Sequence, residues 1–311
     1  MSKYNIHADF RKYEKIQLPL SPWVLPLLNG VLSSGFNMVK PAEGVKVTKQ
    51  TIPGYQGGQI EVSIFEPVDI QNDAPCLVYL HGGAFVLKAS PYLKTLVCTY
   101  ALETPCKVVY VDYRLAPKHA FPVGLEDCYA AFKWVHHNAK ELGIDKNKIA
   151  IGGDSAGGNL AAAVNLIAMD RNTPTACFQM LIYPVTDARQ QTESIKNFID
   201  TPLWNSKQTA KMWKLYLSDG MPDKKEYVSP VEAASLDKMP ATYIEVAEFD
   251  CLRDEGINFA DALLQSGIQV ELNKTIGTIH GFEIAESSDL VQQIIAKRID
   301  ILKKAFHSSE K

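Results

Sequence analysis

The pattern of apolar and polar residues first becomes regular in two stretches, Val45–Pro53 and Gln59–Glu66. Both alternate apolar with polar positions, as strands with one buried face do. The sequence GYQGG lies between them and supplies turn residues. These two stretches are therefore predicted to pair as antiparallel strands.

Further along the chain come six short runs that are rich in β-branched residues. They are APCLVYL (74–80), CKVVYVD (106–112), KIAIGG (148–153), CFQMLIYP (177–184), ATYIEVA (241–247) and IQVELNKT (268–275). Such runs are typical of strands buried on both faces. Helical patterns lie between most of them or follow the last: Pro91–Glu103, Val123–Leu142, Ala156–Arg171, Asp254–Gln265 and Ser288–His307. This alternation predicts an α/β fold with eight strands in a mostly parallel sheet, flanked by helices on both faces.

Two segments fall outside this rhythm, residues 1–44 and residues 185–235. The second is too long for a simple crossover. We predict that residues 45–184 and 236–311 form the main domain, and that the two segments form a cap over one end of its sheet. Their bulky rings include Trp23, Phe36, Trp204 and Trp213. The alternative is that these segments are ordinary core.

The stretch Ile16–Val39 carries no charged residue and is long enough to span a membrane. Three prolines and two glycines interrupt it, which favours a buried or pocket-covering segment instead. The N-terminal sequence MSKYNIHADFRKYEK is polar and of mixed charge, unlike a signal peptide. We therefore expect no stable membrane association.

Composition narrows the class of protein. The chain has 311 residues, of which 46% are hydrophobic, and a formal net charge of −3. The chain has no stripe of basic residues, so nucleic acid is not an expected partner. The six cysteines form no C-x-x-C pair and no cluster with histidine, so neither a metal nor another cofactor is expected. A reduced, cytoplasmic protein fits best.

Candidate chemistry centres on Gly153-Asp154-Ser155-Ala156-Gly157, between the fifth predicted strand and a helix. This is the G-x-S-x-G pattern of a nucleophilic serine exposed on a sharp strand-to-helix turn. Glycines are needed beside the serine because side chains there would collide with neighbouring elements. Two other readings stay open at this point: Ser155 could merely cap the helix, or the loop could bind phosphate.

A nucleophilic serine needs a base, an acid that orients the base, and donors for the oxyanion. Each has a candidate at the end of a predicted strand. The sequence HGGAF, His81–Phe85, follows the third strand with unobstructed backbone N–H groups. Asp250 follows the seventh strand and His280 the eighth. Ligands and reactive groups gather at this edge of parallel sheets.

Five motifs in order, HGGAF, DYRLAPKHAFP, GDSAGGNL, DCLRDEG and HGF, resemble those of hormone-sensitive-lipase-like carboxylesterases of the α/β-hydrolase fold. The resemblance covers about residues 70–285. It implies Ser155 as nucleophile, His280 as base and Asp250 as its partner. It also implies an oxyanion hole from the N–H groups of Gly83, Ala84 and Ala156, with Gly82 shaping that loop.

The chain departs from the family pattern at three positions. Ala84 stands where glycine is frequent, which keeps the N–H and is expected to narrow the alcohol pocket. Cys251 replaces a proline beside Asp250, and Lys118 replaces a glutamate. Asp254 and Glu255 compete with Asp250 for the role of acid, although the first turn of a helix suits them better. His81 and Asp154 are expected to brace loops.

The resemblance implies a serine esterase acting on small carboxylic esters through an acyl-enzyme. We expect short acyl chains, because bulky rings in a cap favour a closed pocket over an open lipid surface. The alternative is a non-catalytic small-molecule receptor, since plant gibberellin receptors resemble the same family. Those receptors lack the triad histidine, whereas this chain keeps His280. Whether the chain forms a homodimer stays open.

Overall fold

The computed structural model describes residues 3–307 and contains one eight-stranded sheet. Its strands are β1 Val45–Pro53, β2 Gln59–Pro67, β3 Ala74–Leu80, β4 Lys107–Asp112, β5 Ile144–Asp154, β6 Phe178–Ile182, β7 Ala241–Phe249 and β8 Val270–Ile279. They lie in the order β1-β2-β4-β3-β5-β6-β7-β8. The pairs β1–β2 and β2–β4 are antiparallel and the other pairs are parallel. All eight predicted strands are confirmed.

The described α-helices are α1 Leu25–Met38, α2 Tyr92–Glu103, α3 Val123–His137, α4 Ala156–Asp170, α5 Glu193–Asn197, α6 Ser206–Tyr216, α7 Arg253–Gln265 and α8 Asp289–His307. The five predicted helices are present. However, α3 ends at His137, five residues before the predicted end. The Asn138 side chain there donates to Trp134 O at 2.8 Å, which binds a carbonyl of the last turn.

Helix α1 lies inside the uncharged stretch that we expected proline and glycine to interrupt. Pro26 occupies the first turn, where proline needs no hydrogen-bond partner for its nitrogen. Gly35 lies against α2, since a Cβ there would be 2.8 Å from Pro91 Cγ. Within residues 3–307, no helix has both the length and the apolarity to cross a membrane.

The helices cover both faces of the sheet. Leu125 of α3, Leu160 of α4 and Phe259 of α7 belong to the core on one face. Val97 of α2 and Leu302 of α8 belong to the core on the other. This arrangement leaves the carboxyl edge of the parallel strands open to the residues that follow them.

The two segments outside the strand-helix rhythm meet over this edge. The Leu203 N–H donates to Ile16 O at 2.8 Å, and Gln208 Nε2 donates to Leu18 O at 2.9 Å. The tryptophan rings of these segments differ in burial. Trp204 and Trp213 are buried, whereas Trp23 is 83% exposed. Our expectation that Trp23 helps enclose a pocket is therefore wrong, because it precedes α1 on the outer side of the cap.

A buried ionic cluster joins α8 to the middle of β7 and to the turn that follows β8. The Arg298 guanidinium lies 2.5 Å from both Glu245 and Glu283, and all three side chains are at most 2% exposed. Tyr183 donates its hydroxyl to Glu283 at 2.5 Å, and Tyr243 donates its own to Glu245 at 2.7 Å. One buried cation thus serves two buried carboxylates.

Replacing Arg298 by methionine is expected to lower the free energy of unfolding by about 3–5 kcal/mol, because two buried carboxylates lose their counter-charge. Urea denaturation at pH 7 measures the loss. Lys297→Met on the same helix is the matched control, since Lys297 is 44% exposed and pairs with Glu271 at 3.4 Å. An exposed pair of this kind contributes at most about 1 kcal/mol. Equal losses in the two variants would contradict the prediction.

Candidate active site

Ser155 occupies the turn between β5 and α4. Its backbone has φ 54° and ψ −118°, a left-handed conformation that costs a non-glycine residue about 1–3 kcal/mol. The Ser155 N–H donates to Ile182 O at 2.8 Å, which ties the turn to the end of β6. The side chain makes no capping bond to α4. The reading of Ser155 as a simple helix cap is therefore wrong.

The glycines on either side of the turn are sterically required. A Cβ on Gly153 would lie 2.3 Å from Leu80 O, and one on Gly157 would lie 1.9 Å from the same oxygen. Both contacts are with backbone, which cannot move aside as a flexible side chain can. The expected collision is thus confirmed, and it explains why the turn fits so closely against β3.

His280 connects Ser155 to Asp250. His280 Nε2 lies 2.9 Å from Ser155 Oγ, and His280 Nδ1 lies 2.7 Å from Asp250 Oδ2. Asp250 also accepts the Leu252 N–H at 2.9 Å on its other oxygen. All three side chains are buried. Asp250 is thereby fixed so that one oxygen orients the loop and the other faces the imidazole.

The competing carboxylates are occupied elsewhere. Asp254 accepts the Ser194 N–H at 2.7 Å and pairs with Arg253 at 2.8 Å. Glu255 accepts the Thr186 N–H at 2.7 Å. Both lie in the first turn of α7. These contacts bind both carboxylates to the cap segment 185–235. Asp250 is therefore the carboxylate that contacts His280.

The loop after β3 faces the serine. Gly83 and Ala84 line the same cavity as Ser155, and no acceptor within residues 3–307 meets either N–H. Ala156 is the first residue of α4, so its N–H has no carbonyl one turn earlier in the helix. Gly82 differs from these three, because its N–H donates to Asp154 Oδ1 at 3.1 Å. Gly82 is thus engaged in holding the loop.

Asp154 links this loop to the turn that carries the serine. Besides the Gly82 N–H, it accepts the Tyr79 hydroxyl at 3.0 Å. Burial raises the pKa of the Asp154 carboxyl to about 6, with the nearby Glu283 charge adding to the rise. A Cβ on Gly82 would lie 2.2 Å from Asp154 Oδ2. This carboxyl therefore sets the distance between the loop and the turn.

His81 has a different environment from His280. Its ring stacks on Tyr113 with centroids 4.4 Å apart, and its Nδ1 lies 2.6 Å from Gly82 O. Burial lowers the pKa of His81 to about 4. A neutral, stacked and hydrogen-bonded imidazole suits the bracing of the loop better than proton transfer.

The cavity above Ser155 has a volume of about 140 Å³. Trp204, one of the cap rings expected to enclose a pocket, lines this cavity, with its ring centroid 5.9 Å from that of His280. Sequence reasoning missed another wall, Tyr183, whose ring centroid lies 4.6 Å from that of His280. Tyr183 directly follows β6. We assigned reactive groups to the ends of β3, β5, β7 and β8, but none to the end of β4 or β6. That position was a usable signal. Leu28 and Leu32 of α1 also line the cavity, with Leu93 of α2.

No group of three or more His, Cys, Asp or Glu side chains within residues 3–307 is arranged to hold a metal ion. The six cysteines are all free, and five of them are buried. Burial raises the pKa of the Cys251 thiol beside Asp250 well above its usual range. The cavity is lined by the Ser155 hydroxyl and the His280 imidazole, and Asp250 lies behind His280.

Comparison with known proteins places these features in a family. Residues 77–284 match the family model described as alpha/beta hydrolase fold. Carboxylesterase NlhH of Mycobacterium tuberculosis is 32% identical over 270 residues, which cover 85% of this chain and 84% of that protein. The arylesterase of Saccharolobus solfataricus is 31% identical over 78% of this chain and 79% of its own length.

Solved structures agree with the sequence relatives. A bacterial heroin esterase superposes with a TM-score of 0.89 at 32% identity, covering 97% of this chain and 98% of that one. The match spans the sheet, its helices and the cap segments alike. The chain belongs to the α/β-hydrolase fold family, in its branch of hormone-sensitive-lipase-like carboxylesterases.

Proposed function

We propose that the chain hydrolyses small carboxylic esters of short acyl chain through an acyl-enzyme on Ser155. The observation that carries this proposal is the continuous contact from Asp250 through His280 to Ser155, at 2.7 and 2.9 Å. It ends in a cavity large enough for a small ester. The esterases among its relatives support the same reaction class.

In the proposed reaction, Ser155 Oγ attacks the ester carbonyl while its proton passes to His280 Nε2. Asp250 accepts the Nδ1–H, which holds the productive tautomer and stabilises the imidazolium. The N–H groups of Gly83, Ala84 and Ala156 stabilise the negative charge on the carbonyl oxygen. The alcohol leaves with the proton from His280, and water then attacks the acyl-enzyme by the same steps in reverse.

Nothing favours the receptor alternative. A receptor needs no base beside the serine, yet His280 lies within hydrogen-bond distance of Ser155 Oγ. The relatives and solved structures reported above are esterases, and none is a receptor.

Acyl-chain length tests the proposal. We expect kcat/KM for 4-nitrophenyl esters to reach its maximum between ~2 and ~8 acyl carbons. Each methylene contributes ~0.8 kcal/mol only while the cavity has room for it. The cavity volume of about 140 Å³ and its apolar walls, which include the buried Trp204, limit that room. A kcat/KM that kept rising through long-chain emulsions, with activation at the interface, would contradict a closed pocket and indicate a lipase.

The proposal extends to location and assembly. We place the protein in the cytoplasm, which the six free cysteines support, because a reducing compartment keeps thiols unpaired. We also propose that the chain can form a homodimer. Strand β8 ends the sheet order, and Ile276 on it is 70% exposed, so this edge offers a surface for association.

A further inference from the structure

A second cavity lies beside the active-site cavity, between α1 and the antiparallel half of the sheet. Its volume is about 70 Å³, and Lys88 and Ala89 line both cavities. Ser33 and Asn37 of α1 form one wall, and strands β1, β2 and β4 form the others. The active-site cavity is mostly apolar where α1 covers it, whereas this second cavity is mostly polar.

The charges around the second cavity balance. Lys49 pairs with Glu61 at 2.7 Å, and Lys88 pairs with Asp112 at 2.5 Å. Two cations therefore face two carboxylates, and no net charge is left to attract an ion. The lining suits a neutral ligand that both donates and accepts hydrogen bonds.

Two hydroxyl groups at this cavity lack protein partners. The residues Ser63 and Tyr110 are each 4% exposed, and across residues 3–307 neither hydroxyl makes a hydrogen bond. Neither oxygen is among the fully buried polar atoms without a partner, so both reach the cavity surface and can donate to or accept from a ligand or water there. The Tyr110 ring is held between the rings of Phe36 and His81, at centroid distances of 5.1 and 5.6 Å. Its hydroxyl is thus fixed in place.

The wall between the two cavities is anchored by α1. The Asn29 side chain accepts the Lys88 N–H at 2.8 Å and donates to Val86 O at 2.9 Å. These two bonds fix the backbone of the segment that follows the loop of Gly83 and Ala84. The Lys88 side chain remains 28% exposed. The backbone position is therefore set, and the Lys88 side chain, which is paired with Asp112, lines both cavities.

We infer that the second cavity binds the hydroxyl-bearing part of the leaving alcohol, so that the preferred substrates are esters of polyols or sugars. This inference rests on the proposed esterase function. A water-sized position takes roughly 10–15 Å³, so 70 Å³ holds roughly five to seven of them. A fragment of two or three hydroxylated carbons has that size. Its hydroxyls would meet Ser63 and Tyr110, and Lys88 would lie along its path.

Glycerol 1-acetate and propyl acetate test the inference, because they differ only in two hydroxyl groups. We expect kcat/KM for the wild type to be about tenfold higher for glycerol 1-acetate. In the double variant Ser63→Ala/Tyr110→Phe, which removes only two oxygens, this ratio should fall to about one. Ser63→Ala alone should lower the ratio part of the way, which covers the case of a double variant that fails to fold.

The matched control is Ser218→Ala/Tyr129→Phe, which removes the same two kinds of hydroxyl away from the cavity. Ser218 contacts Asp219 and Tyr129 contacts Thr173, so the ratio should stay at its wild-type value. A wild type without preference would overturn the inference, as would a Ser63 variant that keeps the full ratio. Hydrolysis of 4-nitrophenyl acetate separates the two proposals: if the wild type lacks it, the esterase function itself fails, and the alcohol site fails with it.

Discussion

Replacing Ser155 by alanine is expected to lower kcat for ester hydrolysis by about 10⁶ while the fold is retained. The alanine lacks the oxygen that attacks the carbonyl, so no acyl-enzyme forms. The substitution removes one atom that contacts His280 and leaves the backbone bond from residue 155 to Ile182 O in place. Steady-state kinetics with 4-nitrophenyl acetate and a thermal melt measure the two effects.

Covalent labelling identifies the nucleophile independently of rate. A fluorophosphonate reagent should label Ser155 in the wild type and no residue in Ser155→Ala. Ser229→Ala serves as control, because Ser229 is fully buried and binds the Ala188 N–H at 3.1 Å outside the cavity. That variant should be labelled and active. A label on a serine other than Ser155, or activity above trace level in purified Ser155→Ala, would refute the assignment.

Replacing Asp250 by asparagine is expected to lower kcat by ~10²–10⁴ with Ser155 still in place. Asparagine keeps the size but loses the charge that stabilises the imidazolium. Its amide can also donate toward Nδ1, which would favour the wrong tautomer of His280. The loop bond from Asp250 Oδ1 to the Leu252 N–H can be kept by the amide oxygen, so folding should change little.

Asp254→Asn is the matched comparison, four residues further along. Asp254 lies in the first turn of α7 and holds the Ser194 N–H, so its loss should cost ~0.3–1 kcal/mol of stability and little activity. Parallel kinetics and melts of the two variants separate the roles. An inactive Asp254→Asn beside a normal Asp250→Asn would show that we have chosen the wrong acid.

The sheet could be predicted well because each strand is recognisable from the few residues that form it. Each is a short run rich in β-branched residues, and the intervals between strands leave little choice of topology. Helix α1 was missed for a different reason. Its glycines weaken the helical pattern, and the contact that requires one of them is made by a residue far away in the sequence. The missing side chain of Gly35 matters only because Pro91, 56 positions later, lies against it.

The functional residues likewise fall into those that the sequence predicted and those that only the structure revealed. Ser155, Asp250 and His280 each follow a strand in a recognisable motif, and the sheet brings strand ends together. The buried pairing of Arg298 with Glu245 and Glu283 has no such signal, since an arginine in a helix is most often at the surface. The second cavity arises from α1 and three strands that are distant in sequence, so only the folded chain reveals it.

The left-handed backbone at Ser155 has a consequence for how this protein can evolve. Glycine adopts φ 54° without strain, so at this position the most stable residue and the reactive residue differ. Selection for stability alone would remove the serine, and only selection for turnover retains it. A descendant of this chain that lost its activity would therefore be free to become more stable at the very position that once held its nucleophile.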